Sequence, residues 1–173
     1  MLEALIFVVF PFCMVFAAVS DMLSMTIANR VSLILIAVFT VAAPLTGMEW
    51  GTFGWHFAAA ALVLCVTFGM FAMGGMGGGD AKLIAATSLW MGFSIHLMQY
   101  LVYAALIGGL LTVLLIIYRG SPLSTFTGGN LFLRHFADTK AGVPYGVALG
   151  ISGLLVYPST PLMQWALAQV VLG

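Results

Sequence analysis

The amino-acid sequence predicts an all-α membrane protein, a polytopic bundle of about six transmembrane helices in one domain, 1–173. Of its 173 residues, 63% are hydrophobic and only 6% are charged, whereas soluble domains carry about 25% charged residues. A soluble fold of this size could not bury so much apolar surface in one core. The apolar runs are continuous and do not alternate, which favours membrane-spanning helices over a β-barrel.

Short polar breaks divide the apolar sequence into six candidate spans. We expect the first three spans at about 4–20, 27–43 and 52–73. The fourth span runs from 81 to a turn near 92–96, the fifth continues from that turn to 118, and the sixth begins at 143. The first run lacks the positive start of a signal peptide, so we interpret it as a retained helix. Pro158 and Pro161 interrupt the last run, and the segment 162–172 either extends it with a kink or lies on the surface.

The basic residues indicate how the bundle is oriented. In a six-span layout the breaks 21–30, 74–82 and 119–142 face one side, and they contain every Lys and Arg of the chain, namely Arg30, Lys82, Arg119, Arg134 and Lys140. The breaks on the opposite side contain no Lys or Arg, and their only charged residues are Glu3 and Glu49. Positive charge marks the cytoplasmic side, so both termini are predicted outside the cytoplasm. The net charge of zero gives no indication of a nucleic-acid partner.

Two of the five acidic residues, Asp21 and Asp80, lie where predicted spans meet the cytoplasmic face. A carboxylate so close to hydrocarbon is costly, and such residues usually have a function. For Asp80 alone, capping the start of the fourth helix is an alternative explanation. Two acidic residues on one face, one of them directly after a glycine run, favour a functional pair.

The glycine run, 74–79, precedes Asp80 and has five glycines in six positions. Glycine is a poor helix former and allows both positive φ and close approach of the backbone. A membrane protease needs such a place, because its substrate must be held extended with the scissile peptide bond exposed. A flexible turn between two spans is the alternative, although a turn does not require so many glycines.

Paired carboxyl groups have a known chemistry in peptide hydrolysis. Two such groups a few ångströms apart share one proton, so that one member activates water while the other hydrogen-bonds the scissile carbonyl. No metal, cofactor or covalent intermediate is required. The sequence has no phosphate-loop ending, HExxH motif or nucleophile elbow, and we interpret Cys13 and Cys65 as small buried hydrophobic residues.

Three segments carry a resemblance to a known family. Gly77-x-Gly79-Asp80 resembles the GxGD motif of membrane aspartyl proteases, and Gly79-Asp80-Ala81-Lys82-Leu83 resembles the G-D-x-K-L of type IV prepilin peptidases. Asp21 followed by Ile27-Ala28-Asn29 is similar to their first catalytic Asp followed by I-P-N, with Ala28 in place of proline. Val143-Pro144-Tyr145-Gly146 is similar to the P-Y-G segment that opens their final helical region. The small size resembles the short form found in tight-adherence and Flp-type pilus systems.

This resemblance implies an activity and a set of site residues. The chain would be an aspartic endopeptidase of the bacterial inner membrane that cuts the leader from prepilins or pseudopilins, after a glycine, at the cytoplasmic face. Asp21 and Asp80 would be the catalytic pair, and Gly77 and Gly79 would shape the site. Lys82 would tune the pair electrostatically or bind phosphate head groups. Asn29 would support the site or the entry into the second helix.

Other readings stay open at the level of the sequence. Long members of the family also methylate the new N-terminus, which we do not expect here because no nucleotide-binding loop is visible. A small proton-coupled transporter also uses acidic residues inside the membrane, but its site would lie near the midplane. A non-catalytic pilus assembly subunit would leave the acidic pair and the glycine run without a role.

Overall fold

The computed structural model describes residues 1–122 and 142–172, and within them the chain forms seven α-helices. Their bounds are α1 Leu2–Ser24, α2 Asn29–Leu45, α3 Trp50–Ala72, α4 Gly78–Met91, α5 Ile95–Arg119, α6 Tyr145–Val156 and α7 Pro161–Leu172. A short 3₁₀ helix, Tyr157–Ser159, joins the last two. The all-helical prediction is confirmed, and the turn expected near 92–96 lies between α4 and α5. Arg134 and Lys140 lie outside the described residues.

The helices differ in their ability to cross a bilayer. Within the described ranges, α1, α3 and α5 are long and apolar enough to span, and α6 with α7 would form a fourth, bent span. By contrast, α2 has 17 residues and α4 has 14. At 1.5 Å per residue these lengths reach roughly 26 Å and 21 Å, less than the ~30 Å of a hydrocarbon core. The count of six spans therefore stays a prediction.

The segment after Pro158, whose path the sequence left open, forms a separate helix, α7, that follows α6 across a bend. The segments on either side of the break differ in direction by 52°. Proline cannot donate the helical hydrogen bond at Pro158 or Pro161, and the Thr160 hydroxyl, which lies between them, donates to the Tyr157 carbonyl at 2.8 Å. After the bend, α7 packs against α1 and buries Leu162 and Ala166.

Helix α4 is the central element of the bundle, although it is short. Ten of its fourteen residues are buried, and they include every residue from Leu83 to Met91. The Trp90 side chain packs on the Phe10 ring at a centroid distance of 5.3 Å and donates from its indole nitrogen to the Leu35 carbonyl at 3.0 Å. Packing of α4 against the neighbouring helices therefore compensates for the weak helix propensity of its glycine-rich start.

Small residues allow α6 to approach α1 closely. Gly146, Gly150 and Gly153 recur at helical spacing, the pattern that brings membrane helices into backbone contact. A Cβ on Gly150 would lie 2.8 Å from the Met14 carbonyl oxygen, and one on Gly153 would lie 2.9 Å from the Met14 sulfur. This packing places the first turn of α6 beside the last turn of α1, where Asp21 is located.

Candidate active site

Asp21 lies in the last turn of α1 and points into the protein. Its side chain is buried, with 6% of its surface exposed. The carboxylate oxygen Oδ2 accepts a hydrogen bond of 2.6 Å from the backbone N–H of Gly146, the second residue of α6. A helix N-terminus has unpaired N–H groups and a partial positive charge, which favour an anion at this position. The start of α6 therefore holds Asp21 in place.

Asp80 is the third residue of α4 and is half-buried. Its carboxylate lies beside Gly77, the residue that caps the helix, and the backbone N–H of Gly77 favours its charged form. An acidic side chain at the third position that reaches back to the cap residue is the second half of a capping box. The sequence offered Asp80 as the cap of this helix, but the cap residue is Gly77, and Asp80 lies three residues after it.

The structure brings Asp21 and Asp80 together, although they are far apart in sequence. The two carboxylates are close enough for their charges to interact. Ile27, in the turn between α1 and α2, lies between the starts of α4 and α6. A Cβ on Gly79 would be 3.2 Å from the Ile27 Cβ, and one on Gly146 would be 2.9 Å from the Ile27 Cδ1. One apolar side chain thus sets the spacing of the segments that carry or hold the acidic pair.

The glycine run includes the first turn of α4, whereas the sequence led us to start that helix near Ala81. Gly78 and Gly79 are already helical, since burial of α4 and the Asp80–Gly77 contact compensate for poor propensity. Gly74 has a φ of 76°, which favours glycine. A Cβ on Gly77 would lie 2.7 Å from the Asp80 Oδ2, so any larger residue here would displace that carboxylate.

Lys82 and Asn29 contact each other across the same end of the bundle. The Lys82 ammonium donates to the Asn29 side-chain oxygen at 3.0 Å, which joins the fifth residue of α4 to the first residue of α2. Both residues also border an apolar groove of about 510 Å³ between α2, α3 and α4. Within the described part of the chain, neither residue forms a hydrogen bond or ion pair with Asp21 or Asp80, so both lie at the rim of the acidic pair.

A family model of known proteins matches this region of the chain. Residues 8–117 match the type IV leader peptidase family. The chain belongs to this family. The match covers more than half of the 173 residues and includes Asp21, the glycine run and Asp80, so the resemblance inferred from the motifs is confirmed at the level of the family. No curated protein and no solved structure gives a significant match.

Membership makes the protein a peptidase, and the all-helical fold agrees with a membrane-embedded leader peptidase. Within residues 1–122 and 142–172, no three His, Cys, Asp or Glu side chains come together as metal ligands. His56 of α3 lies 2.7 Å from the Leu89 carbonyl, near the end of α4 that is opposite Asp80.

The sequence alone assigned no site role to two residues that build the site, Gly146 and Ile27. Both lie in segments that resemble prepilin peptidases, which was the available signal. The neighbouring Tyr145 extends the same arrangement, since a Cβ on Gly108 of α5 would lie 2.6 Å from its ring. The V-P-Y-G segment therefore positions α6 through the large Tyr145 ring and through Gly146, which has no side chain. In this position the backbone N–H of Gly146 reaches Asp21.

Proposed function

We propose that the protein is an aspartic endopeptidase that removes the leader peptide of prepilins or pseudopilins, with Asp21 and Asp80 as its catalytic pair. One observation carries this proposal. Two carboxylates from α1 and α4 lie at one end of the bundle, close enough for their charges to interact. Asp21 accepts the backbone N–H of Gly146, and Asp80 lies beside the backbone of Gly77. Backbone groups beside both carboxylates favour the defined geometry that a shared-proton pair requires.

The chemistry follows from the pair. One carboxylate takes a proton from a water molecule, and that water attacks the scissile carbonyl carbon. The other carboxyl group, protonated, donates a hydrogen bond to the carbonyl oxygen where negative charge develops. The tetrahedral intermediate then collapses, and the leaving amine takes a proton from the carboxyl group that first accepted one. The glycine run lies next to the pair and leaves room for an extended substrate backbone.

The orientation of the site supports cleavage at the cytoplasmic face of a bacterial inner membrane, in a pilus-assembly or secretion pathway. Arg30 is the second residue of α2, Lys82 the fifth of α4 and Arg119 the last of α5. These basic residues lie toward the end of the bundle that contains the acidic pair, while Glu49 caps the opposite end of α3. Positive charge at one end is typical of the cytoplasmic side.

The test is cleavage of a prepilin by protein purified in detergent. Asp21→Asn and Asp80→Asn keep the size of each side chain and remove its titration, so each should lower the cleavage rate by at least about 10³-fold, the scale found when one member of a catalytic unit is lost. The double variant should be little worse than either single variant, since residues that act as a unit are not additive.

Two acidic residues serve as controls in the same assay. Glu49→Gln removes a carboxylate at the other end of the bundle and should leave the rate within about twofold. Asp138 lies outside the described residues, and Asp138→Asn should likewise retain activity. Near-normal cleavage by Asp21→Asn, measured as a mass shift equal to leader loss, contradicts the proposal. A wild-type protein that conducts protons and cleaves no prepilin would favour the transporter alternative.

A further inference from the structure

The groove between α2, α3 and α4 lies on the side of α4 that faces away from the acidic pair. Successive residues of a helix are rotated by about 100°, so Lys82, which borders the groove, points to the side of α4 opposite Asp80. Gly79 lies between these two directions, and there the turn before α2 packs on α4, since a Cβ on Gly79 would be 3.2 Å from the Ile27 Cβ. The groove is therefore separate from the place of the proposed cleavage.

The groove is short in comparison with the membrane. Each of the three helices contributes four lining residues at the spacing i, i+3, i+4 and i+7, beginning at Asn29 in α2, Phe57 in α3 and Lys82 in α4. Along α4 the groove runs from Lys82 to Leu89, about 10 Å at 1.5 Å per residue. Half of the ~30 Å hydrocarbon core is about 15 Å. The groove thus fits within one leaflet, where an acyl chain ends, whereas a membrane-crossing helix would extend well beyond it.

Polar groups border the groove at the end where α2 and α4 begin. Lys82 and Asn29 form this end, and the lining residues beyond Ser32 are Ala, Leu, Ile and Phe. Within the described residues, the Lys82 ammonium has no acidic partner and donates one hydrogen bond, to Asn29. An ammonium has three donors, so Lys82 can still bind an anion. A basic polar end and an apolar body match the chemistry of an anionic amphiphile.

Ser32 is a second polar group that faces this groove. Its side chain is buried, with 6% of its surface exposed. Ser88 and Ser152, which are also buried in helices, each donate to a carbonyl one turn earlier. The Ser32 hydroxyl makes no such bond to a described residue, and it borders the groove. A buried hydroxyl without a partner is costly, so an acceptor inside the groove would stabilise this arrangement.

We propose that this groove binds a phospholipid with an anionic head group, from the leaflet at this end of the bundle. The phosphate accepts hydrogen bonds from Lys82, and an ester carbonyl accepts one from Ser32, while the acyl chain lies between the three helices. Ser32 is three residues after Asn29, about 4.5 Å deeper, so the two polar positions follow the order of phosphate and ester along the lipid. Basic pockets between membrane helices are known to bind acidic head groups. The inference goes beyond cleavage and does not depend on it.

The test compares phosphatidylglycerol with phosphatidylcholine of the same acyl chains. Retention of each lipid by the protein purified in detergent is measured by native mass spectrometry. The wild-type protein should prefer phosphatidylglycerol about fivefold, the scale of one basic residue acting on an anionic lipid. Lys82→Met should abolish the preference and Lys82→Arg should keep it. Arg30→Met removes a charge from the same end of the bundle, outside this groove, and should keep the preference.

Two further variants test the ester contact and the apolar body. Ser32→Ala should lower the retention of both lipids about 3- to 10-fold, the scale of one hydrogen bond. Ala61→Phe places a large ring in the groove and should prevent either lipid from binding. Ala58→Phe adds the same ring at another exposed position of α3, outside the groove, and should retain both lipids as the wild-type protein does.

Several outcomes would overturn the inference. Equal loss of the preference in Lys82→Met and Arg30→Met would indicate diffuse attraction to the basic end. Unchanged lipid retention in Ala61→Phe, with weaker prepilin binding, would indicate that the groove holds a protein segment. Thermal unfolding gives a second measurement, in which phosphatidylglycerol should raise the unfolding temperature more than phosphatidylcholine, and an equal rise with inorganic phosphate contradicts a lipid site. Failure of the wild-type protein to cleave prepilin would overturn the proposed function, while lipid retention still decides this inference.

Discussion

Gly146 offers a sharp test of how the site is held. In Gly146→Ala the new Cβ would lie 2.8 Å from the Asp21 Cβ and 2.9 Å from Oδ2. The first distance is roughly 0.6 Å short of the 3.4 Å at which ordinary contact begins. Either α6 withdraws or Asp21 turns away, and both movements weaken the 2.6 Å hydrogen bond from the Gly146 N–H.

Two magnitudes follow from this displacement. Overpacking of a close helix contact costs about 1–3 kcal/mol in the free energy of unfolding. A misplacement of about 1 Å at a catalytic group lowers the rate about 10²-fold. Since the required shift is somewhat smaller, we expect kcat to fall about 10- to 100-fold while the substrate still binds.

A matched control separates these two effects. Gly150 lies one turn further along α6 and faces α1 just as closely, with a Cβ position 2.8 Å from the Met14 carbonyl. Gly150→Ala should therefore lower the thermal unfolding temperature by a similar amount but change kcat by less than about threefold, since it does not touch Asp21. Gly109→Ala, where the Cβ position has open space, should change neither quantity. Equal losses of kcat in Gly146→Ala and Gly150→Ala would refute the reasoning.

Three further predictions concern the chemistry, the topology and the rim of the site. Cleavage should be insensitive to a chelator, and Cys13→Ala with Cys65→Ala should retain it; inhibition that added zinc reverses would contradict a purely carboxylate mechanism. In a Cys-free background, a cysteine at Glu49 should be labelled from outside and one at Ser124, outside the described residues, should not; labelling of both from one side contradicts the six-span layout. Lys82→Met and Asn29→Ala should each lower the cleavage rate only a few-fold. The double variant should lose no more, because both changes remove the same hydrogen bond. A far larger loss in Lys82→Met would show that Lys82 has another role.

The helices could be predicted from sequence because apolar runs and their breaks are local signals. The residues at which the helices begin and end were harder to predict. Helix α4 begins at Gly78, earlier than glycine propensity suggests, because neighbouring helices bury it and Asp80 contacts Gly77. The path after Pro158 depended on whether Leu162 and Ala166 find a surface to pack on, and that surface is α1, more than a hundred residues away.

The same distinction applies to the site. Asp21 and Asp80 stand out in sequence because acidic residues are rare in this chain and each follows an apolar or glycine-rich run. Gly146 does not stand out in the sequence, because it contributes only a backbone N–H and the absence of a Cβ. Both features matter only because tertiary packing places Gly146 against Asp21.

The depth of the site relative to α5 bears on how a substrate reaches it. The Tyr145 ring, adjacent to Gly146, packs at Gly108, about the middle of α5. Helix α5 continues for eleven more residues to Arg119, roughly 16 Å at 1.5 Å per residue, and along this length Leu110, Leu114 and Ile117 are exposed. Exposed apolar residues on a helix long enough to span are expected to face lipid, so we predict that the bilayer extends past the level of the acidic pair. A substrate held in the membrane by its own apolar segment would therefore present its peptide bond to Asp21 and Asp80 below the membrane surface. That geometry suits a peptidase whose substrates are themselves membrane-inserted better than one that acts on soluble chains.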